Sequence, residues 1–520
     1  MNSYLRIYKL YFCTSHGSSN QNFDHLESCA RGRQQRIVDR PLTLVIPLWF
    51  LNGFDQRRPH RQSKATIFSC QRFVVQNVVL TAANRNSSIL QVRNMFMEYL
   101  LTGTVGAKFL WQLNRNQWRT SQELRIYQLK KLKAIVHHAY ESVPYYHRLF
   151  KSVKFKPRDL RKLEDIRKIP ITKKMDIQRN HLDFIVRGVD VSKCIEFYTS
   201  GSTGIPLKTW KDLRAASLDT AMKSYAIFAC GARLMDKFVN VARRGRSLML
   251  PNQILIPITD GMEAIIKNLK RIKPDIIYSN SNTLQDLCAH QVSGILPKLI
   301  FSRAVTLTDH VRNLVKHTFN IDINDTYGST EFGRLAFECN EHSGLHMITD
   351  GALLEFLDDE GEWVADGEAG GIIGTGLLNY AMPIIRYDIG DIGVPTDERC
   401  GCGRNWPLIN HIEGRTNDIF ILPSGKKLYP TSIFTCIHSE VKENLFCISQ
   451  FQIIQERRNK VTFKIVKGNE FREDVVNRIK QNLETCFIHL NEDVVVDIEY
   501  VKDISVDRAY KRKSIFSLVN

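Results

Sequence analysis

The spacing of apolar residues predicts a helix from Gln122 to Val143. One face of this segment carries apolar side chains at every third or fourth position: Leu129, Leu132, Val136 and Ala139. Pro144 ends the helix because proline cannot continue the backbone hydrogen-bond ladder. The residues 143–146 that follow predict a rigid aromatic turn, and residues 169–174 (IPITKK) introduce another helix.

Residues 262–326 alternate between helical and strand-like patterns. Apolar positions from Met262 to Leu269 recur at helical spacing ahead of the strand-like run Ile276–Tyr278. A second strand, Leu299–Phe301, precedes a helix that Thr308 is suited to cap. This alternation predicts an α/β large domain with layered, mostly parallel sheets.

The pattern changes after residue 413. Residues 451–455 and 461–466 read as paired strands, residues 475–483 as a helix, and residues 494–500 as a further strand. These elements predict a small mobile α+β domain of about 100 residues. We therefore expect a basic extension at 1–95, a large domain at 96–413 and a C-terminal lid domain at 414–520.

The net charge of +18 is distributed unevenly. Residues 1–95 contain 13 Lys/Arg and 4 Asp/Glu, and residues 96–520 contain 59 and 50. The first segment also has weak hydrophobic periodicity. It reads as a tethered tail, a targeting segment or sequence upstream of the true start, for which Met95 or Met97 would serve. A nucleic-acid or membrane tether is a further reading of this basic segment. The main body carries no basic stripe, so we expect no nucleic-acid partner.

Composition favours a cytoplasmic protein without a membrane span. The longest apolar run, around Leu42 to Leu51, is interrupted by Pro47 and is too short to cross a bilayer. No clean secretion signal is present, and 12 cysteines in 520 residues do not form a disulfide framework.

A hydroxyl- and glycine-rich stretch, residues 199–206 (TSGSTGIP), follows a short apolar run. Glycines allow a tight backbone path with exposed N–H groups, and small hydroxyls add donors, a combination suited to a polyphosphate. A polar surface loop is the alternative, because such clusters also mark loops. The stretch is not a Walker P-loop, since no Lys-Ser/Thr pair stands at the required position.

Three further motifs follow in order: YGSTE at 327–331, RYDIGD at 386–391 and GRTND at 414–418, with lysines near the C-terminus. Together with residues 199–206, this ordered set resembles the adenylate-forming superfamily of acyl-CoA synthetases and luciferases. The stretches VPYY (143–146) and IPITKK, and the cysteines near 400, resemble its phenylacetate–CoA ligase and capsular-polysaccharide-biosynthesis branch. The resemblance covers roughly residues 97–520.

The resemblance implies that the 199–204 loop holds the β- and γ-phosphates of ATP. The residues concerned are Thr199, Ser200, Gly201, Ser202, Thr203 and Gly204. It likewise implies a nucleotide-binding role for the second motif, which comprises Tyr327, Gly328, Ser329, Thr330 and Glu331. Thr199 and Glu331 would also be catalytic.

For individual residues of these motifs the resemblance implies a functional role, and each residue also has an ordinary structural alternative. Glu331 would bind Mg²⁺, which prefers carboxylate and phosphate oxygens, or would be a surface or N-cap carboxylate. Tyr327 would flank adenine or the acyl group, or would be a core aromatic. Asp391 would accept hydrogen bonds from the ribose, or would form a turn. Arg415 would reach ribose or phosphate, or would form an interdomain salt bridge.

The C-terminal lysines would supply the catalytic cation. Attack of a carboxylate on a phosphate brings two anions together, so a cation on a mobile lid would favour the reaction. The resemblance assigns this role to Lys511, with Lys513 as a competitor because Tyr510 replaces the usual glycine. The alternative is a solvated basic tail. Asn417 at the hinge and residues 302–307, including Arg303, also depart from the family pattern.

A candidate metal site combines four soft ligands. Cys400 and Cys402 place two thiolates on one turn, and Cys339 with His346 would complete tetrahedral zinc. His342 is an alternative to His346, and the alternative to a metal site is a group of free buried cysteines.

We therefore expect an ATP-dependent carboxylate ligase that forms an acyl-adenylate and pyrophosphate and then transfers the acyl group to a thiol, with coenzyme A implied by the resemblance. The acid is not identified by the residues. The alternative is a catalytically impaired nucleotide-binding protein of the same fold. A small-molecule acid, ATP and coenzyme A are the expected partners, and the chain could form a homodimer.

Overall fold

A computed structural model describes residues 89–199, 206–243, 252–290, 292–507 and 511–519. Its α-helices are α1 (Ile89–Asn116), α2 (Ser121–Ser142), α3 (Pro144–Ser152), α4 (Lys174–Arg179), α5 (Leu213–Ala229), α6 (Met262–Ile272), α7 (Ser281–Ala289), α8 (Asp309–Phe319), α9 (Pro430–Glu443) and α10 (Glu473–His489). Its first strands are β1 (Ile195–Tyr198), β2 (Lys208–Lys211), β3 (Phe238–Ala242), β4 (Gln253–Pro257), β5 (Ile276–Asn280), β6 (Leu299–Arg303), β7 (Ile323–Ser329), β8 (Gly333–Glu338) and β9 (Leu345–Met347). The later strands are β10 (Ala352–Leu357), β11 (Gly370–Gly376), β12 (Tyr387–Thr396), β13 (Leu408–Arg415), β14 (Phe420–Ile421), β15 (Lys427–Leu428), β16 (Ile448–Arg457), β17 (Lys460–Lys467), β18 (Val495–Tyr500) and β19 (Ile515–Ser517).

An 11-stranded mixed sheet organises the large domain, in the order β10-β11-β12-β13-β9-β8-β7-β6-β5-β3-β4. Strands β3 to β7 pair in parallel, as the alternation at 262–326 predicted, and β7 to β13 pair antiparallel. The predicted α/β class of this domain is therefore confirmed. The carboxyl ends of parallel strands meet at one edge, where such sheets bind their ligands.

The two faces of the parallel strands bury different side chains. Phe238, Tyr278 and Phe301 face the core that α1 and α5 cover. Val239, one residue after Phe238, and Ile277, one residue before Tyr278, face the core under α6, α7 and α8. Because side chains alternate along a strand, Tyr278 and Arg303 point to the α5 face.

The lid contains a separate four-stranded sheet in the order β18-β17-β16-β19, packed against α9 and α10. The predicted strand pair, helix and later strand are confirmed as β16, β17, α10 and β18. A disulfide joins Cys436 on α9 to Cys486 on α10, with Cα atoms 6.2 Å apart, and the sequence did not predict this pairing. The division of the chain at 413/414 stays a prediction.

Two expectations concern the first part of the chain: an aromatic turn at 143–146 and a basic extension at 1–95. The predicted aromatic turn at 143–146 is wrong, because α3 begins at Pro144, and proline is favourable in the first turn of a helix. Residues 1–88 of the expected basic extension lie outside the described residues, and α1 begins at Ile89. Within the described ranges, every helix is too short or too polar to span a bilayer.

Candidate active site

The candidate phosphate loop connects the two strands of a hairpin. Strands β1 and β2 pair antiparallel up to Tyr198 and Lys208. The N–H of Thr199 donates to the carbonyl of Leu207 at 2.9 Å, and the Leu207 N–H donates to Thr199 Oγ1 at 2.8 Å. The Thr199 hydroxyl therefore closes the base of the loop. The other predicted phosphate ligands lie outside the described residues: Ser200, Gly201, Ser202, Thr203 and Gly204.

The YGSTE motif forms the turn between β7 and β8. Gly328 is required there, because a Cβ at this position would lie 2.3 Å from the Gly333 carbonyl oxygen. The Ser329 hydroxyl accepts a hydrogen bond from the Phe332 N–H at 3.2 Å, which shapes the turn. This backbone path buries the side chain of Glu331, which follows Thr330.

Tyr387 holds one oxygen of the Glu331 carboxylate. Its hydroxyl donates to Glu331 Oε1 at 3.2 Å, and burial followed by the Glu331 charge raises the pKa of Tyr387. The sequence analysis missed Tyr387, although it stands inside the RYDIGD motif. Arg386 anchors this motif through a buried ion pair with Glu355 and a 2.7 Å hydrogen bond to the carbonyl of Ile169. These contacts dock the RYDIGD motif on the IPITKK stretch.

Two predicted residues, Tyr327 and Arg415, meet at a third, Asp391. The Tyr327 hydroxyl donates to Asp391 Oδ2 at 2.9 Å, and Arg415 Nε lies 3.3 Å from Oδ1. Burial raises the pKa of Asp391, while Arg415 and the Tyr327 hydroxyl act in the opposite direction. Burial and Asp391 raise the pKa of Tyr327 well above its usual value, so Tyr327 is a neutral donor.

The two candidate lysines have different surroundings. Burial and the nearby Arg415 lower the pKa of Lys511, and the neighbouring carboxylates of Asp507 and Asp391 oppose that effect. Lys513 instead pairs with Asp418, with Nζ 2.7 Å from Oδ1. Lys511 is therefore close enough to Asp391 and Arg415 for their charges to act on its pKa, whereas Lys513 is held by Asp418.

Arg512 connects the lid to the large domain. Its guanidinium donates to both oxygens of Asp286 on α7, at 3.0 and 2.6 Å. The amide of Asn282, on the same helix, donates to the Arg512 carbonyl at 3.1 Å. The Arg512 side chain is only 7% exposed, so this ion pair is shielded from solvent. The contact holds the segment that carries Lys511 against the large domain.

A small cavity lies beside Glu331, between α5, the β7–β8 turn and β11. Apolar side chains form much of its wall: Met222, Phe332, Leu378, Met382 and Ile384. Its polar side chains are Lys211, Asp219, Asn379 and Glu331. Its volume is about 20 Å³, room for one water-sized group, so in this structure the cavity is too small for the organic part of a substrate.

The four candidate metal ligands form one compact cluster. Cys339 Sγ lies 3.4 Å from Cys400 Sγ, Cys402 Sγ lies 3.3 Å from His346 Nε2, and all four ligand atoms are within 4.8 Å of one another. Tetrahedral zinc with two such ligands would separate them by about 3.5–3.8 Å. The alternative ligand His342 lies against Glu338, 3.4 Å away. The geometry therefore favours His346.

Comparisons with known proteins identify relatives over this region. A phenylacetate–coenzyme A ligase of Aromatoleum evansii is 31% identical over 340 residues, which cover 60% of this chain and 75% of that protein. A phenylacetate–coenzyme A ligase of Thermus thermophilus is 29% identical over 333 residues, covering 60% and 74%. Protein CapK of Staphylococcus aureus is 22% identical over 345 residues, covering 62% and 74%. No family model matches the chain.

Solved structures show the same fold. A 2-hydroxyisobutyryl-CoA ligase in the postadenylation state superposes with a TM-score of 0.67 at 17% identity, covering 78% of this chain and 91% of that one. An open conformation of that ligase gives a TM-score of 0.55 at 18% identity, covering 78% and 93%. At these identities the likeness concerns the fold alone.

Proposed function

The chain belongs to the phenylacetate–CoA ligase branch of the adenylate-forming enzymes, and on that premise we propose that the cleft around Asp391 and Glu331 carries out its reaction. Its activity is that of an AMP-forming acid–CoA ligase. A carboxylate oxygen of the acid bonds to the α-phosphorus of ATP, and pyrophosphate leaves. The sulfur of coenzyme A then bonds to the acyl carbon, AMP leaves and the thiol proton is released.

The observation that carries the proposed site is the meeting of Tyr327, Asp391, Arg415 and Lys511. Asp391, already held by the Tyr327 hydroxyl and Arg415, would accept hydrogen bonds from the ribose hydroxyls. Arg415 is half exposed on the side of the cleft and would contact ribose or phosphate. This group of side chains fits a nucleotide-binding site better than a plain interdomain ion pair, because Lys511 adds a second cation near Asp391.

Glu331 is proposed to hold magnesium. Its Oε1 accepts from Tyr387, whereas Oε2 accepts no hydrogen bond from the residues that the structure describes. A hard carboxylate oxygen that accepts no hydrogen bond from these residues suits Mg²⁺, which would neutralise phosphate charge when bound. Tyr387 would orient the carboxylate, and the loop from Thr199 to Gly204 would bind the phosphates through its N–H and hydroxyl groups.

Lys511 is proposed to be the catalytic cation. It would lie beside the reacting phosphate and offset the charge that develops as the carboxylate attacks. Lys513, paired with Asp418 at the hinge, is already neutralised. The lid must move for the second step, and Asn417, between Thr416 and Asp418, offers a residue type that tolerates unusual backbone angles.

The Cys339–His346–Cys400–Cys402 cluster is proposed to bind structural zinc. The cluster joins the β8–β9 hairpin to the turn between β12 and β13. Four protein ligands would close the tetrahedral coordination, as in structural sites. The cluster would therefore fix the start of β13, and it would take no part in the chemistry.

A cytoplasmic setting is part of the proposal: seven of the described cysteines, among them Cys230, Cys288 and Cys447, are free thiols, and Cys436 and Cys486 form a disulfide. Small molecules, and no nucleic acid, are the proposed partners. A homodimer stays a prediction.

Pyrophosphate release tests the proposed function. We expect release from ATP that requires both Mg²⁺ and a carboxylic acid, measured across a panel of acids with and without coenzyme A. Addition of coenzyme A should then convert bound adenylate to thioester. ATP binding without acid-dependent pyrophosphate release from any member of the panel would instead favour the catalytically impaired alternative.

Loss of the Arg512–Asp286 contact should slow adenylation selectively. In Asp286→Asn, the guanidinium loses its charged acceptor in the closed lid, and a charge-assisted hydrogen bond of this kind contributes about 1.5–3 kcal/mol. We expect adenylation to fall by about 10- to 100-fold, while thioester formation from supplied acyl-adenylate is retained. Glu440→Gln, which removes an ion pair to Arg478 inside the lid, is the matched control. Equal loss in both half-reactions would contradict a positioning role.

A further inference from the structure

Arg303, the last residue of β6, is fixed at the carboxyl edge of the parallel strands. Its Nη2 donates to Asn240 Oδ1 on β3 at 3.0 Å. Its guanidinium also lies 4.7 Å from the centre of the Tyr278 ring on β5, where the electrons of the ring attract a cation. Both contacts orient the guanidinium, and neither of them neutralises its charge.

Arg303 forms no ion pair with a carboxylate of the described residues. Its Nε is buried and has no hydrogen-bond acceptor there. Burial lowers the pKa of Arg303, the Tyr278 phenol opposes this effect, and the charge of Arg334 adds to it. The sequence places no Asp or Glu in the internal segments that lie outside the described residues, 200–205, 244–251, 291 and 508–510. A desolvated cation without a counterion is costly, which points to an anion as its ligand.

Strand register places Arg303 next to the proposed nucleotide site. Arg303 is paired with Thr326 on the neighbouring strand β7, and adjacent strands lie about 4.8 Å apart. The residue after Thr326 is Tyr327, whose hydroxyl holds Asp391. Arg303 therefore stands one strand away from the residues that would hold the ribose, at the edge where parallel sheets bind their ligands.

The charge of Arg303 also reaches the C-terminal segment of the lid. Burial and the charge of Arg415 lower the pKa of Lys511, the charges of Asp507 and Asp391 oppose them, and the charge of Arg303 lowers it further. Arg303 and Lys511 are thus two cations, from different domains, that repel each other. An anion that binds close to both would be attracted by both and would offset this repulsion.

We propose that Arg303 is a further catalytic residue, whose guanidinium donates to an oxygen of the α-phosphate from the large domain while Lys511 contacts the same phosphate from the lid. The inference rests on the proposed function, since it adds a residue to the same site. When the carboxylate oxygen bonds to the α-phosphorus, the bond to pyrophosphate breaks and its electrons leave with pyrophosphate. Arg303 keeps its proton and offsets the negative charge on the phosphate oxygens.

A residue of the large domain can act in both half-reactions. In the second step the sulfur of coenzyme A bonds to the acyl carbon, the bond from that carbon to the phosphate oxygen breaks, and AMP leaves with its electrons. The thiol proton is released. Because Arg303 does not belong to the lid, it would still contact the phosphate and stabilise AMP as it leaves, whereas Lys511 would act only in the first step.

Separate assays of the two half-reactions test this assignment. In Arg303→Met, ATP–pyrophosphate exchange and thioester formation from supplied acyl-adenylate should both fall by about 10- to 100-fold, the effect of one charge-assisted hydrogen bond. Arg303→Lys should retain part of both rates. Arg125→Met, the same substitution at an exposed ion pair with Glu164, should retain both fully. Loss of exchange alone, or of neither rate, would overturn the inference, and acid-dependent pyrophosphate release would still support the proposed function.

The pH profile gives a readout that a purely structural role would not change. Removing the Arg303 charge should raise the pKa of Lys511, because that charge lowers it in the wild type. The descending limb of kcat/KM for adenylation should therefore move to higher pH in Arg303→Met and stay near its wild-type position in Arg303→Lys. A limb that does not move in Arg303→Met would contradict the placement of Arg303 beside the lysine.

Binding of AMP and of adenosine identifies the group that Arg303 contacts, without any turnover. Arg303→Met should weaken the Kd for AMP by about 10- to 100-fold and leave the Kd for adenosine unchanged. Equal weakening of both would indicate a contact with adenine or a structural defect. Unchanged AMP affinity together with a raised KM for the acid would assign Arg303 to the attacking carboxylate. Either result overturns the inference, and the AMP measurement stays decisive even if no acid supports exchange.

Discussion

Replacing Lys511 with alanine is expected to lower the rate of acyl-adenylate formation by about 100- to 1,000-fold, the usual effect of removing one group that stabilises developing charge. Lys511 is a partly buried cation on which the charges of Asp391 and Arg415 act, and its own charge would be needed only while the carboxylate attacks the phosphate. Acyl transfer from supplied acyl-adenylate to coenzyme A should therefore be retained. Pyrophosphate exchange and thioester formation, assayed separately, measure the two steps.

Lys513→Ala is the control for this prediction. Its ammonium group pairs with Asp418, so removing it should change adenylation far less than Lys511→Ala does. A loss of similar size in both variants would indicate that the C-terminal segment, and not the Lys511 charge, matters for the reaction.

The pH dependence of adenylation tests the same role. Only the protonated ammonium supplies charge, so kcat/KM should fall as pH rises through the pKa of Lys511. Burial and Arg415 lower that pKa, so the fall should occur below the value of about 10.4 typical of an exposed lysine. Lys511→Arg, whose guanidinium stays protonated, should remove this descending limb and keep part of the activity. If Lys511→Arg keeps the same descending limb in its pH profile, that limb belongs to another titrating group.

Local signals predicted much of the fold. The helix at 122–143 is confirmed as α2, and Thr120 and Glu123 add a capping box at its start. The helix capped by Thr308 is confirmed as α8. These elements depend on periodicity and caps within about a dozen residues, which the sequence displays directly. The aromatic turn at 143–146 failed because a proline that ends one helix can also begin the next.

The site could be predicted only in part, because motifs name residues and not their partners. Asp391 and Arg415 stand out in their motifs and do meet. Tyr387 and Arg512 act through side chains 56 and 226 residues away in sequence, and no local pattern shows such pairings. Arg303 departs from the family pattern, but its position beside Tyr278 is a property of the tertiary structure.

Removing the proposed zinc should cause the largest loss of stability. The four ligands come from two connections of the large sheet, and an ion that binds only the folded state contributes its binding free energy to folding. We expect one zinc per chain by elemental analysis, and a fall in the free energy of unfolding on the order of 5 kcal/mol in Cys400→Ser with loss of the metal. A strong chelator should lower Tm in the wild type and should not lower it further in the variant.

The two histidines near the cluster make the zinc prediction specific. His346 is completely buried, with Nε2 3.3 Å from Cys402 Sγ, whereas His342 lies against Glu338. His346→Gln should therefore lose zinc, and His342→Gln should retain it. Cys194→Ser, outside the cluster, controls for the loss of a thiol. Full zinc content in His346→Gln, or a wild-type chain free of metal whose Tm does not rise when zinc is added, would contradict the site, because four preformed ligands at these distances should bind the ion.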